Sequence, residues 1–255
     1  MRRLFVAGNW KMNTLGTEAE ALAHSLARSL ADYNDMDLAV FPPFPYLTRV
    51  YRALFGSPVV VGAQNVYPAA KGAYTGEVSP LMLLDSGCRW VLVGHSERRH
   101  ILGERDDFLR RKVLESLRAG LRVLFCVGET LAERQADRTT DVLRRQLDAC
   151  LTELTAAQWD ELAIAYEPVW AIGTGHNATP EQAQQMHAFV RQWVEHHAGQ
   201  QVAASCRILY GGSVRADNAL SLVQQPDVDG LLVGGASLQA NEFTQIVQAA
   251  RRAKT

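Results

Sequence analysis

Short apolar stretches recur along the whole chain, and longer segments with helical signals separate them. The apolar character of each stretch is nearly continuous instead of alternating, which is typical of parallel strands covered by helices. Over 255 residues they recur about every 32 residues, the size of one strand–helix–strand step. The eight stretches are Leu4–Ala7, Leu38–Phe41, Val59–Ala63, Trp90–Val93, Leu121–Val127, Leu162–Tyr166, Ile208–Tyr210 and Gly230–Val233.

Helix starts can be identified between these stretches. Two capping-box patterns, in which a threonine precedes Glu or Gln by three residues, are Thr17 with Glu20 and Thr179 with Gln182. Pro180 then occupies the first helical position, where its missing N–H has no cost. The sequence therefore predicts strands that alternate with helices along the chain.

The domain organisation follows from the same repetition. No linker, low-complexity tract or change of composition divides the chain. Eight strand–helix units in one piece favour a single-domain (β/α)8 barrel over residues 1–255, and a doubly wound open sheet is the alternative. In a barrel, the reacting groups are expected at the carboxyl ends of the strands.

Composition and charge exclude several classes of protein. The chain has 27 acidic and 26 basic side chains and no basic run, which argues against a nucleic-acid partner. Its four cysteines form no C-x-x-C pair, so we expect reduced thiols and no zinc site. No apolar run has the length of a membrane span or of a signal-peptide core, so we expect a cytoplasmic protein.

Polar residues and glycines follow most of the predicted strands. A carboxylate, an ammonium, an imidazole and two glycine pairs would therefore converge on one face of a barrel. These residues are Asn9 and Lys11 after the first stretch, Gln64 after the third, His95 after the fourth, Glu167 after the sixth, Gly211–Ser213 after the seventh, and Gly234–Gly235 after the eighth.

The two glycine pairs favour a phosphate site. Barrels commonly bind phosphate with backbone N–H groups after the seventh and eighth strands, and glycine lets the backbone approach the oxygens closely. Ser213 can add a hydroxyl donor. Because the whole chain is almost neutral, the attraction for an anion must be local and come from Lys11 and these dipoles. We expect a small phosphorylated molecule as the ligand.

The segment 168–178 has two interpretations. Gly173, Gly175 and Ala178 formally match a dinucleotide fingerprint. However, the fingerprint glycine should follow its strand at once, whereas here the seven residues Glu167–Gly173 come after the strand. We therefore interpret the segment as a lid that closes over a bound ligand and excludes water.

The loop over residues 64–76 is long and has no periodic pattern. Compact domains seldom carry such a loop without a function. Tyr67, Tyr74 and Thr75 give it a composition suited to a protein interface, and a flexible insertion is the alternative.

Taken together, the polar blocks resemble the triosephosphate isomerase family. The matching blocks occur in the family's order and span residues 8 to 236. They are Gly8–Asn13, Gly62–Asn65, Gly72–Glu77, Val93–Arg99, Cys126–Glu129, Ala165–Gly175, Leu209–Val214 and Gly230–Ala236.

The resemblance implies a (β/α)8 barrel that interconverts dihydroxyacetone phosphate and glyceraldehyde 3-phosphate without a cofactor or metal. It implies that Glu167 is the base that moves a proton between carbons 1 and 2. It further implies that His95 polarises the carbonyl group and that Lys11 offsets the negative charge of the substrate and enediolate.

The resemblance also assigns residues to substrate binding and to a homodimer. Asn9 would help to place Lys11 and the substrate oxygen. The loop around Thr75 would reach the partner's active-site rim. The residues expected to hold the phosphate through backbone donors are Gly173, Ser213, Gly234 and Gly235.

Three points stay open at the level of the sequence. Glu97 could orient Lys11, transfer a proton or have a purely structural role. His176 and Asn177 stand where the family often has Lys and Thr, which leaves the closing rate of the lid open. The competing functions are a catalytically silent phosphosugar-binding barrel and a nicotinamide oxidoreductase, and the spacing after Glu167 argues against the latter.

Overall fold

The computed structural model describes residues 2–172 and 178–254. Eight strands in these ranges form a closed parallel barrel in chain order. The ring closes where Phe5 to Gly8 of the first strand pair with Gly230 to Val233 of the last. This closure confirms the (β/α)8 barrel and excludes the open sheet. The strands are β1 Phe5–Asn9, β2 Asp37–Phe41, β3 Val59–Ala63, β4 Trp90–Val93, β5 Arg122–Val127, β6 Leu162–Tyr166, β7 Arg207–Tyr210 and β8 Gly230–Val233.

Helices surround the barrel. The α-helices in the described ranges are α1 Gly16–Ser29, α2 Leu47–Ala53, α3 Pro80–Asp85, α4 Ser96–His100, α5 Asp106–Ala119, α6 Leu131–Gln135, α7 Thr139–Leu151, α8 Ala156–Asp160, α9 Pro180–Ala198, α10 Gln200–Ser205, α11 Ala219–Val223 and α12 Ala240–Arg252. Short 3-10 helices occur at Phe44–Tyr46, Val169–Ala171 and Gly235–Leu238. None of these helices combines the length and the apolar character that a membrane crossing needs.

The strands are buried on both faces, which explains their continuous apolar character. Alternate residues point into the barrel, where Phe5 and Trp90 lie with ring centroids 4.7 Å apart. The intervening residues, such as Val6 and Val40, pack against the helices outside. The rigid double-layered wall fixes the positions of the strand ends, where the polar residues lie.

The helix starts agree with one of the two predicted capping boxes. Thr179 accepts a hydrogen bond from the N–H of Gln182 at 3.2 Å, at the start of α9. The prediction at Thr17 was wrong, because α1 already begins at Gly16. Glu18 accepts a hydrogen bond from the N–H of Leu15 at 2.7 Å. A carboxylate in the first turn therefore provides the acceptor for a backbone N–H at the start of this helix.

The four cysteines are free and buried. Burial raises the pKa of Cys88, Cys150 and Cys206 to about 12, so these thiols stay protonated at neutral pH.

Candidate active site

Three strand ends bring a carboxylate, an imidazole and an ammonium to the same end of the barrel. Lys11 follows β1, His95 comes two residues after β4, and Glu167 directly follows β6. His95 contacts Glu167, and Lys11 contacts Glu97, which lies in the first turn of the helix after His95. The structure therefore brings the three predicted catalytic residues into one connected cluster.

Glu167 is a buried carboxylate held by two donors. The residue is only 2% exposed. Its Oε1 lies 3.1 Å from Nε2 of His95, and its Oε2 accepts a hydrogen bond from the N–H of Ser96 at 2.9 Å. Both donors belong to the segment after β4. A carboxylate shielded from water in this way is suited to accept a proton from carbon once it leaves these donors.

The start of α4 fixes the orientation of His95. The N–H of Glu97 donates to Nδ1 of His95 at 3.3 Å, so Nδ1 is an acceptor. The ring proton then resides on Nε2, the nitrogen that faces Glu167. The imidazole is thus a hydrogen-bond donor toward the space in which a substrate oxygen can lie.

Lys11 has an unusual backbone conformation, with φ of 52° in the left-handed region. Asn9 accepts a hydrogen bond from the N–H of Lys11 at 3.0 Å, and Gln64 donates to the Lys11 carbonyl at 2.8 Å. Nζ of Lys11 forms an ion pair with Oε1 of Glu97 at 2.7 Å. Two side chains therefore hold the strained backbone, and a third forms an ion pair with the ammonium group.

The predicted phosphate residues lie next to this cluster. Among the described residues, a Cβ placed on Gly234 would meet only the Lys11 side chain, 3.6 Å away, and one placed on Gly235 would meet nothing within 4 Å. Gly235 also begins a 3-10 helix, whose first N–H groups have no partner in the preceding turn. Ser213 is half-buried after β7. An anion can thus approach this backbone closely, with the Lys11 ammonium on one side.

Comparison with known proteins gives the family. A family model described as triosephosphate isomerase matches residues 4–250. The chain is 52% identical over 248 residues to the triosephosphate isomerase of Syntrophotalea carbinolica, with 97% of this chain and 98% of the relative covered. It is 50% identical over 252 residues to that of Thiobacillus denitrificans, with 99% and 100% covered. The chain belongs to the triosephosphate isomerase family. Its activity is that of an aldose–ketose isomerase.

Sequence reasoning did not assign two residues that shape the site in this family member. Gln64 was predicted as a polar strand end in the shared block Gly62–Asn65, but with no role. Its Nε2 donates to the carbonyls of Phe41 and Lys11 and so links β2 to the Lys11 turn. Gly128 is required by close approach, because a Cβ there would lie 1.8 Å from the Glu167 carbonyl oxygen. The signals for Gln64 were the polar character of the third strand end and the shared block Gly62–Asn65.

The beginning of the predicted lid is anchored to a buried carboxylate, Glu129. Its Oε1 accepts hydrogen bonds from Nε1 of Trp170 at 2.8 Å and from the Tyr166 hydroxyl at 3.1 Å. The Arg134 guanidinium lies 3.2 Å from the same oxygen and 4.6 Å from the Trp170 ring centroid. The predicted phosphate residue Gly173, together with His176 and Asn177, lies outside the described residues.

Proposed function

We propose that this chain interconverts dihydroxyacetone phosphate and D-glyceraldehyde 3-phosphate by proton transfer through an enediolate, as a cytoplasmic enzyme of glycolysis and gluconeogenesis. The observation that carries the proposal is the contact between the buried Glu167 carboxylate and the His95 Nε2, next to Lys11. Family membership supports the substrate, a triose phosphate. The four free, buried thiols support a reducing compartment.

The first step is proton abstraction by Glu167. Its carboxylate takes a proton from carbon 1 of dihydroxyacetone phosphate, and the electron pair of the broken C–H bond forms the C1–C2 double bond. The C2 carbonyl oxygen becomes the enediolate oxygen. To reach carbon, the carboxylate has to leave the donors of His95 and Ser96. This movement frees the His95 Nε2–H to donate to the developing oxyanion.

The second step returns a proton to the neighbouring carbon. The proton on oxygen 1 moves to oxygen 2, which restores a carbonyl at C1, and Glu167 gives its proton to C2. The product is glyceraldehyde 3-phosphate, and no electron acceptor is required. Lys11 offsets the charge of the enediolate and phosphate, and Asn9 holds the Lys11 backbone. The 2.7 Å ion pair supports a role for Glu97 in orienting Lys11.

The phosphate group would bind to the backbone donors at Gly173, Ser213, Gly234 and Gly235. The room that the described residues leave at Gly235 and the proximity of Lys11 to Gly234 support this assignment. Segment 168–178 would close over the substrate and exclude water, which protects the enediolate from loss of its phosphate group. The hydrogen bond from Trp170 to Glu129 holds the beginning of this segment, which supports a lid that moves about a fixed start.

The test is a coupled assay with glyceraldehyde 3-phosphate and no added cofactor or metal. We expect turnover by the wild-type chain. Glu167→Gln keeps the size of the side chain but removes the base, and should lower kcat by about 10²–10⁴, with a smaller change in phosphate affinity. Absence of wild-type turnover with retained phosphate binding would instead indicate a catalytically silent phosphosugar-binding barrel. Unchanged kcat in Glu167→Gln would remove Glu167 from the role of base.

We also propose a homodimer formed through the 64–76 loop. The Tyr67 and Tyr74 rings contact each other within the loop, tilted by 37° with centroids 4.3 Å apart, while Tyr74 stays 46% exposed. Exposed apolar side chains at Met82 and Ile101 add surface that association would remove from water. In this arrangement the loop around Thr75 would reach the partner's site near Lys11 and His95.

A further inference from the structure

A buried histidine outside the active site touches the two tyrosines that precede catalytic segments. His187 lies on α9 and is fully buried. Its ring meets Tyr166 edge-on at 5.9 Å between centroids and lies 6.4 Å from the Tyr210 ring at an interplanar angle of 31°. Burial lowers its pKa to about 4, so the ring is uncharged at neutral pH.

The two tyrosines occupy equivalent positions at neighbouring strand ends. Tyr166 ends β6, Tyr210 ends β7, and the two are paired in the register of the sheet. The next residues are the base, Glu167, and the Gly211–Ser213 turn. The position of each tyrosine therefore determines the position of the group that follows it, Glu167 after Tyr166 and the Gly211–Ser213 turn after Tyr210.

The two strand ends are in direct contact beyond the tyrosines. The N–H of Gly211 donates to the carbonyl of Tyr166 at 2.8 Å. A Cβ on Gly211 would lie 2.9 Å from Cγ of Glu167, and one on Gly212 would lie 2.2 Å from the Tyr210 hydroxyl oxygen. With so little space, a small displacement of either ring changes the position of the base or of the turn.

The opposite side of His187 is held in place. Its Nδ1 lies 3.3 Å from the carbonyl oxygen of Asp227, in the segment before β8. The Arg191 guanidinium donates to the same oxygen at 3.0 Å, so this carbonyl does not depend on His187 alone. The imidazole ring thus lies between the loop before β8 and the rings of the two tyrosines.

We propose that His187 is a positioning residue for the isomerisation, whose ring fixes Tyr166 and Tyr210 and thereby the geometry of Glu167 relative to the Gly211–Ser213 turn. The proposal rests on the proposed function of that site. It assigns the effect to the aromatic ring and not to the polar contact with Asp227.

The experiment compares His187→Phe, which keeps a ring, with His187→Gln, which keeps a polar group. Val190→Ala is the matched control, because Val190 is a buried residue on the same helix outside the site. The measurements are kcat, KM, affinity for inorganic phosphate and the urea midpoint. We expect His187→Gln to lose about 10-fold in kcat and to bind phosphate more weakly. His187→Phe should keep both within about twofold, and Val190→Ala should lose stability only.

Each result decides the proposal. A folded His187→Gln with wild-type kcat and phosphate affinity overturns it, as does equal impairment of the Gln and Phe variants. If His187→Gln does not fold, Tyr210→Leu takes its place and should weaken phosphate binding, and unchanged binding overturns the proposal. Phosphate binding is measured without turnover, so an inactive wild-type chain would contradict the proposed function while the test of His187 still stands.

Discussion

At the scale of the residue, Gly128 shows why the base can occupy its position. A side chain there would collide with the backbone of Glu167, so only glycine allows the end of β5 to approach the end of β6 this closely. The order of residues along the chain cannot show this requirement. Glycines after strands are most often turn residues, and the collision involves a residue that is distant along the chain.

His187 gives a residue-scale prediction for the dependence of stability on pH. Burial, the main cause, lowers its pKa to about 4 in the folded chain, against an ordinary value near 6.5. Between these values the unfolded chain binds the extra proton, so the free energy of unfolding should fall as the pH decreases from about 6.5 to about 4. The loss from this group is about 3 kcal/mol.

Urea denaturation between pH 4 and pH 7.5 measures this effect. The wild-type chain should lose more stability over this interval than His187→Phe, which has no proton to bind. An identical pH dependence in both proteins would contradict the assignment. Asp227, Asp229 and Arg191 also face the imidazole. Burial raises the pKa of Asp227, but its hydrogen bonds with Gln184 and Arg191 outweigh this effect and lower it. These charged groups are present in both proteins, so the difference between the two pH profiles reports the imidazole.

The sequence revealed the charged residues of the site, and the resemblance assigned Asn9 to the placement of Lys11, but the roles of Gln64 and His187 were not predicted. Glu167, His95 and Lys11 are noticeable because each follows an apolar strand. Gln64 and His187 act through contacts with residues that are distant in the chain, and such contacts follow from the closed barrel. Their roles therefore became visible only with the structure.

At the scale of the element, the start of α9 matters because it comes shortly after the predicted lid. Thr179→Ala removes the acceptor for the N–H of Gln182 and should cost about 1 kcal/mol of stability. Fraying of this turn also displaces Ala178, whose backbone N–H lies near the buried Tyr210 hydroxyl without a well-formed hydrogen bond. We therefore expect KM to rise as well.

Thr155→Ala is the control for this prediction. Thr155 forms the same capping box with Gln158 at the start of α8. Its loss should lower the urea midpoint but leave kcat and KM unchanged. If both variants had wild-type kinetics, the start of α9 would not be coupled to the site.

Element boundaries were predictable where local chemistry decides them. Four of the eight apolar stretches, such as Val59–Ala63 and Leu162–Tyr166, coincide with their strands. The predicted start of α1 was wrong, because both Thr17 and Glu18 offer acceptors close to the start of this helix. The position of Gly16 in the helix follows from packing, which a local pattern does not contain.

At the scale of the whole molecule, the repeat of strand–helix units predicted the barrel, while its closure needed the structure. The pairing of Phe5 with Gly230 joins the two ends of the chain. A sequence with parallel strands covered by helices is compatible with an open sheet until that pair is seen. The continuous apolar stretches follow from burial on both faces, which the two folds share.

The proposed dimer gives a prediction at this scale. Thr75→Arg places a long charged side chain at an exposed position of the 64–76 loop and should prevent association. The wild-type chain should sediment at about twice its mass of 28.2 kDa, and the variant at the mass of one chain. Activity should fall together with the mass, because the loop would complete the partner's site.

Gln201→Arg, an exposed substitution on α10, controls for the added charge. It should leave the sedimentation mass and the activity unchanged. A fully active wild-type chain at the mass of one subunit would contradict the dimer.

The backbone of Lys11 has a consequence for engineering. Its left-handed conformation costs a residue other than glycine about 1–2 kcal/mol. Glycine would relieve this cost but would remove the ammonium that faces Glu97. Selection for heat resistance alone therefore favours replacement of this lysine by glycine. The resulting protein would be more stable but would have lost the ammonium group of its site. Thermostabilised designs of this chain should hold position 11 constant and seek their gains among the outer helices.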